Sequence, residues 1–179
     1  MSSWYHCDIQ TGAIRAAGFS PNETEARLNT APDGCVLFMV ADGLIYDPFS
    51  NPDFSRLKDW LRGNVDREAG DLRAQYVTDV PGQAQTYEKK EAEARLWTDG
   101  DETAHPERYP FMLTEAQVRA VPISQVRAEI MAQVNLLTPV AALIEAHRVA
   151  AKMAVSAATT IPEIMTAGTV DWQSLVPTN

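Results

Sequence analysis

The sequence predicts an α+β protein: a small antiparallel β domain over residues 1–49, followed by an α-helical bundle over residues 50–179. Three observations carry this. The first fifty residues hold aromatic and apolar runs of strand length, divided by glycine turns. After Ser50, apolar residues recur at three-and-four spacing, the period of one helix face. The most regular segment of all, VAALIEAHRVAAKMAVSAATT, continues that spacing to Thr160.

In order along the chain, Trp4 to Ile9 favours a strand through its aromatic residues, and Thr11-Gly12 turns it into a second strand over Ala13 to Phe19. Glu23 to Asn29 is polar and suits a short helix or a loop. Pro32-Asp33-Gly34 is a turn. Cys35 to Ala41, CVLFMVA, has the length and composition of a buried strand, and Asp42-Gly43 leads to a fourth strand at Leu44-Ile45-Tyr46.

Ser50-Asn51-Pro52-Asp53 is a helix start. Phe54, Leu57, Trp60, Leu61, Val65 and Leu72 mark the buried face of that helix, with Gly63 and Gly70 as points of a possible kink. Asp79-Val80-Pro81-Gly82 breaks the chain. Gln83 to Trp97 forms a second helix with Tyr87, Ala94 and Trp97 as contacts. Thr98 to Pro110 is a polar loop. Thr114 caps a short helix that stops near Val121, ahead of Pro122. The next helix buries Val126, Ile130, Val134 and Leu137, and a joint at Thr138-Pro139 separates it from the alanine-rich helix. Pro162 to Met165 gives one more turn, Gly168 ends it, and Trp172 folds back.

Composition bounds the function. The net charge of −9 disfavours nucleic acid and anionic membrane partners, which call for a basic surface. No apolar run approaches the roughly 20 residues of a membrane span. MSSWYHCDIQ lacks the basic and apolar regions of a signal peptide. Cys7 and Cys35 are expected as free buried thiols rather than a disulfide framework. A compact chain of 179 residues buries roughly 70% of its unfolded surface and needs no staple.

No hydrolase elbow, phosphate loop, dinucleotide turn or zinc-protease motif occurs. His6, His105 and His147 lie in different elements. His6 and Cys7 are strand neighbours that point to opposite faces, so they do not share a metal. Asp99-Gly100-Asp101-Glu102 offers oxygen ligands without the rest of a calcium loop and reads as solvated. Lys89, Lys90 and Arg95 alternate with Glu88, Glu91 and Glu93 as a solvated helix face. Trp4, Trp60, Trp97 and Trp172 are core anchors. These features imply no catalytic residue, no cofactor and no metal.

The alanine-rich helix carries the candidate interaction site. Val140, Leu143, Ile144, His147, Ala151, Ala154, Val155 and Ala158 form one stripe, with Glu145, Arg148 and Lys152 off it. The seam proper is Leu143, His147, Ala151, Ala154 and Ala158. Its alanines let another backbone approach closely, and Val155 is the one knob to set register. Its partner is either helix 123–137 of the same chain or the same helix of a second copy.

The run DLRAQYVTDVPGQAQTYEKKEAEARLW (Asp71 to Trp97) resembles segments of tailed-bacteriophage virion proteins. Tyr109-Pro110 before a short helix, Val126 to Ile130, Ile144 to Lys152 and Asp171-Trp172 are similar to the helical modules of tail-fibre-region proteins. Trp4-Tyr5 and Thr11-Gly12 match the aromatic strands and turn that precede such modules. The resemblance implies a non-enzymatic tail-fibre or collar component, made in the bacterial host cytoplasm and resident in the virion. It implies binding to other virion proteins and a homo-oligomer, with a trimer preferred. The alternative is a fibre-assembly chaperone absent from the finished particle.

Overall fold

The computed structural model describes residues 1–76 and 83–175. The chain is 59% helical and 14% strand, an α+β layout, and among the described residues every strand lies in the first forty-one. The expected break at Asp79 to Gly82 lies outside the described residues.

Strand β1 (Ser2–Asp8) is central, and β2 (Ile14–Ser20) and β3 (Cys35–Ala41) flank it, both antiparallel to it. Asp8 builds the β1–β2 turn. Its Oδ1 accepts from the backbone N–H groups of Gln10 (3.0 Å) and Thr11 (2.9 Å), and its Oδ2 from Arg15 (2.9 Å). Arg15, then Thr11, hold the Asp8 carboxyl well below the usual carboxylate range. Helix α1 (Glu23–Ala26) is a single turn capped by Asn22, whose side chain accepts from Glu25 N at 2.9 Å.

The fourth strand does not form. Leu44 to Tyr46 leaves the sheet, and Tyr46 makes an isolated bridge to Asp53 instead, while Ile45 enters the core. The backbone turns twice here, with positive φ at Gly43 and at Asp47, which takes the segment away from the free edge of β3.

Helix α2 (Ser55–Ala74) passes both glycines without interruption. The Asp53 carboxylate accepts from Ser55 N (2.8 Å) at its start. Helix α3 spans Gln83–Leu96. The expected polar loop contains α4 (Asp101–Ala104) and a 3-10 turn, Pro106–Arg108. Helix α5 (Pro110–Arg119) starts four residues before Thr114, so Thr114 is no cap: its hydroxyl donates to Pro110 O at 2.7 Å.

Helix α6 (Ile123–Ala157) corrects the largest expectation. It is one continuous helix with Pro139 inside it. Proline removes one backbone hydrogen bond and crowds the preceding turn, yet the segments on either side are each anchored by their own core, Val126 in one and Val155 in the other. Helix α7 (Ile161–Ala167) starts with a full capping box between Thr160 and Glu163 and ends at Gly168.

Contacts divide the chain into two compact units, cut differently from the strand-to-helix change near Ser50. The first holds 1–70 and 145–174. One face of its sheet, with Tyr5, Cys7 and Val40, packs on Leu57 and Leu61 of α2, Val155 of α6, and Ile161 and Ile164 of α7. Trp172 closes it, its indole N–H donating to Glu68 at 2.9 Å. The second holds the described residues of 71–144 and Leu175. Its core is Ala94 and Trp97 with Tyr109, Met112 and Ala116 of α5 and Ile123 and Val126 of α6.

Gly12 is a tight point of the first unit. Its φ is +71°, and a methyl group there would lie 2.6 Å from Thr160 Cβ, held in its capping box. Gly12→Ala is expected to lower the stability of this unit by about 2 kcal/mol, read as the urea midpoint at unchanged slope.

Candidate functional site

The helical seam predicted from sequence is split by the structure. Ala151 is buried and Ala158 packs against the first core, so both are used within the chain. Val155, the expected register knob between helices, is fully buried in that core. Leu143, His147 and Ala154 face solvent. His147 is therefore no core histidine. Of the predicted stripe, Ile144, Ala151, Val155 and Ala158 turn inward, and Arg148 and Lys152 lie half-buried beside them.

Arg148 and Lys152, expected off the packed face, form its polar part. Arg148 Nη1 and Lys152 Nζ each reach a different oxygen of Asp66 on α2 at 2.5 Å, and Arg148 also holds Glu145 at 2.7 Å. Lys58 adds a third tie, its Nζ donating to Ser156 O at 3.0 Å. Lys152, then Arg148, pull the Asp66 carboxyl below its ordinary value. A lowered carboxyl stabilises the fold above the unfolded value, about pH 3.9, and that contribution is lost as pH falls through the lower folded value. Asp66→Asn is therefore expected to lower the urea midpoint at pH 7, with the gap to the parent narrowing below about pH 4.

In the second unit, a buried carboxylate does what no residue of α5 does. Glu93 of α3, read from sequence as solvated, is 7% exposed. Its two oxygens accept from the backbone N–H groups of Phe111 (3.1 Å) and Met112 (2.9 Å), capping α5 from a neighbouring helix. Lys90 likewise leaves its own helix and pairs with Glu115 at 2.5 Å. The acidic loop is spent on packing: Asp101 accepts from the Tyr109 hydroxyl and Glu102 from the Trp97 indole (2.8 Å). Trp97 and Trp172 are buried anchors, whereas Trp60 and Tyr87 are exposed.

Cys7 and Cys35 are both free thiols. Cys35 stands opposite Asp8 in the sheet, so it points to the other face from Cys7. Burial pushes the Cys7 thiol up to about 11, which keeps it protonated at neutral pH. The His6 ring donates to Asn29 O at 3.2 Å and lies with its centroid 4.9 Å from that of the Trp4 ring, tilted by 41°. Among the described residues, no three His, Cys, Asp or Glu side chains stand together as a metal would require.

What remains unspent is apolar. Helix α6 has an uncharged stretch between Glu129 and Glu145, on which Leu136 is 65% exposed and Leu143 40% exposed. On the first unit, Val149 and Met153 of the same helix are exposed beside Arg148 and Lys152. The chain matches no family model, no curated protein and no solved structure.

Proposed function

We propose that this chain is a non-enzymatic structural component of a tailed-phage virion, in the tail-fibre or collar region, that works by self-association and by binding other virion proteins. The observation that carries the self-association is the uncharged middle of α6. The most apolar window of the whole helix α6 has a mean hydropathy of 1.2 and is 6% buried. Exposed leucines on a helix, with no charge for four turns, gain free energy when a second apolar surface covers them. The virion assignment rests on the sequence resemblance quoted above.

By length and hydropathy α6 also qualifies as a membrane span. The uncharged part between Glu129 and Glu145 falls short of the roughly 20 residues a span needs, which favours a protein surface as its cover. A parallel trimer, with neither cofactor nor metal, is the preferred assembly. Leu143, His147 and Ala154 remain free for it; Ala151 and Ala158 do not.

Mass spectrometry of purified particles tests the assignment. A structural component is present at fixed stoichiometry. A chaperone that acts on the fibre and leaves is absent from the particle and abundant in the lysate, and that result would replace the structural reading with the assembly one.

A further inference from the structure

We propose that the free edge of β3 takes up an extended segment of a partner protein as a fourth strand, apolar in its middle and basic at both ends. The backbone dictates the strand. The sheet order is β2-β1-β3, so β3 pairs on one side only. Ile9 N–H donates to Gly34 O at 2.9 Å, which sets the phase of the β1–β3 ladder. In that phase Val36, Phe38 and Val40 turn their backbone groups to β1, while Cys35, Leu37, Met39 and Ala41 turn theirs outward. The Cys35 N–H is taken by Pro32 O at 3.0 Å. Among the described residues, the N–H and C=O groups of Leu37, Met39 and Ala41 have no hydrogen-bond partner. Donors and acceptors alternating at this spacing are the complement of another extended strand.

Edge strands are ordinarily guarded by charge, proline, glycine or a bulge. The other edge, β2, has Arg15, Gly18 and a register shift between His6 and Cys7 in its pairing with β1. Strand β3, CVLFMVA, has no such guard and pairs with β1 without a shift. Its charges stand just beyond its two ends, at Asp33 and Asp42, both exposed. Neither forms an ion pair among the described residues: Asp42 accepts from the Ser3 hydroxyl (3.2 Å), and Arg56 reaches Gly43 O (3.5 Å) instead. A lysine or arginine at each end of the incoming strand answers these two carboxylates on a chain of net charge −9. The same carboxylates argue against a second copy. Two β3 strands laid antiparallel about Phe38, with their outward groups facing, bring Asp33 of one copy beside Asp42 of the other at both ends, and like charges across a strand pair are destabilising.

This inference is independent of the virion assignment and uses no residue of α6. Its test uses the full chain and a fluorescein-labelled peptide with lysine at both ends and about seven alternating valines and threonines between them. Anisotropy is expected to show saturable binding that weakens with salt. Methylating the backbone nitrogens of two adjacent central residues, one on each edge of the peptide, should weaken it about tenfold or more. Met39→Pro should do the same from the side of the chain. The Met39 N–H points outward, so no bond to β1 is lost and the circular dichroism should be unchanged. Asp33→Asn/Asp42→Asn should weaken binding about threefold. No binding at about 1 mM peptide, equal binding of the methylated peptide, or equal binding of a version with glutamate at both ends would overturn the proposal. If Met39→Pro does not fold, the methylated and glutamate peptides decide. Association of the chain with itself that Met39→Pro abolishes would assign the edge to a second copy and overturn the partner strand. A chain that associates through Leu136 and Leu143 and ignores the peptide overturns this inference alone.

Discussion

Val155→Asp is expected to destabilise the first unit by about 4 kcal/mol or more, enough to unfold much of it at ambient temperature. Val155 is fully buried among Leu57, Leu61, Ile161 and Ile164 on the inner face of the sheet. A carboxylate there has no cation among its core neighbours. It must either stay charged and desolvated or take up a proton, and both cost stability. Near-ultraviolet circular dichroism should lose the signal of Trp172, which closes this unit. If Val155 instead set the register between copies, the variant would keep its tertiary signal and dissociate. Retention of the parent melting temperature would refute the placement of this residue.

Glu93→Ala has the next largest effect, about 3 kcal/mol on the second unit. The carboxylate is the only side chain, among the described residues, that caps α5, whose first turn begins with Pro110 and has no cap of its own. Alanine leaves two helix N–H groups, one of them buried, without a partner, and it removes a negative charge from a helix N-terminus. Hydrogen exchange should show Phe111 and Met112 losing protection first. Glu93→Gln is expected to recover part of the loss, because its amide oxygen still accepts one of the two bonds. An alanine variant as stable as the parent would mean that the cap contributes nothing.

Both predictions concern residues whose identity was plain in the sequence and whose placement was not. The α+β class, the strands at 2–8, 14–20 and 35–41, and the stops at Pro122 and Gly168 follow from local chemistry: turns, proline geometry and apolar runs. The alanine-rich helix was harder to phase. Alanine contrasts weakly with its neighbours, so the stripe takes in Leu143, His147 and Ala154, which are exposed, together with Ile144, Ala151 and Val155, which are buried. Arg148 and Lys152 are charged, which argues for water until Asp66, 82 and 86 residues earlier in sequence, is seen to meet them. Glu93 is a similar case. Its neighbours Lys89, Glu91 and Arg95 suggest a solvated face, and nothing local says that α5 arrives without a cap. Pro139 reads as a break because propensity counts one lost hydrogen bond, whereas two packed flanks carry the helix through.

The exposed leucines of α6 connect structure to proposed function, since they are apolar side chains that the fold leaves uncovered on a stretch without charge. Sedimentation velocity of the full chain over a wide concentration range, alongside a Leu136→Glu/Leu143→Glu variant, tests this most directly. Both side chains are exposed, so the charges should leave the monomer folded, as far-ultraviolet circular dichroism will verify. The account predicts a discrete oligomer for the parent, trimer preferred, and a folded monomer for the variant. A parent chain that sediments as a monomer at every concentration would contradict it.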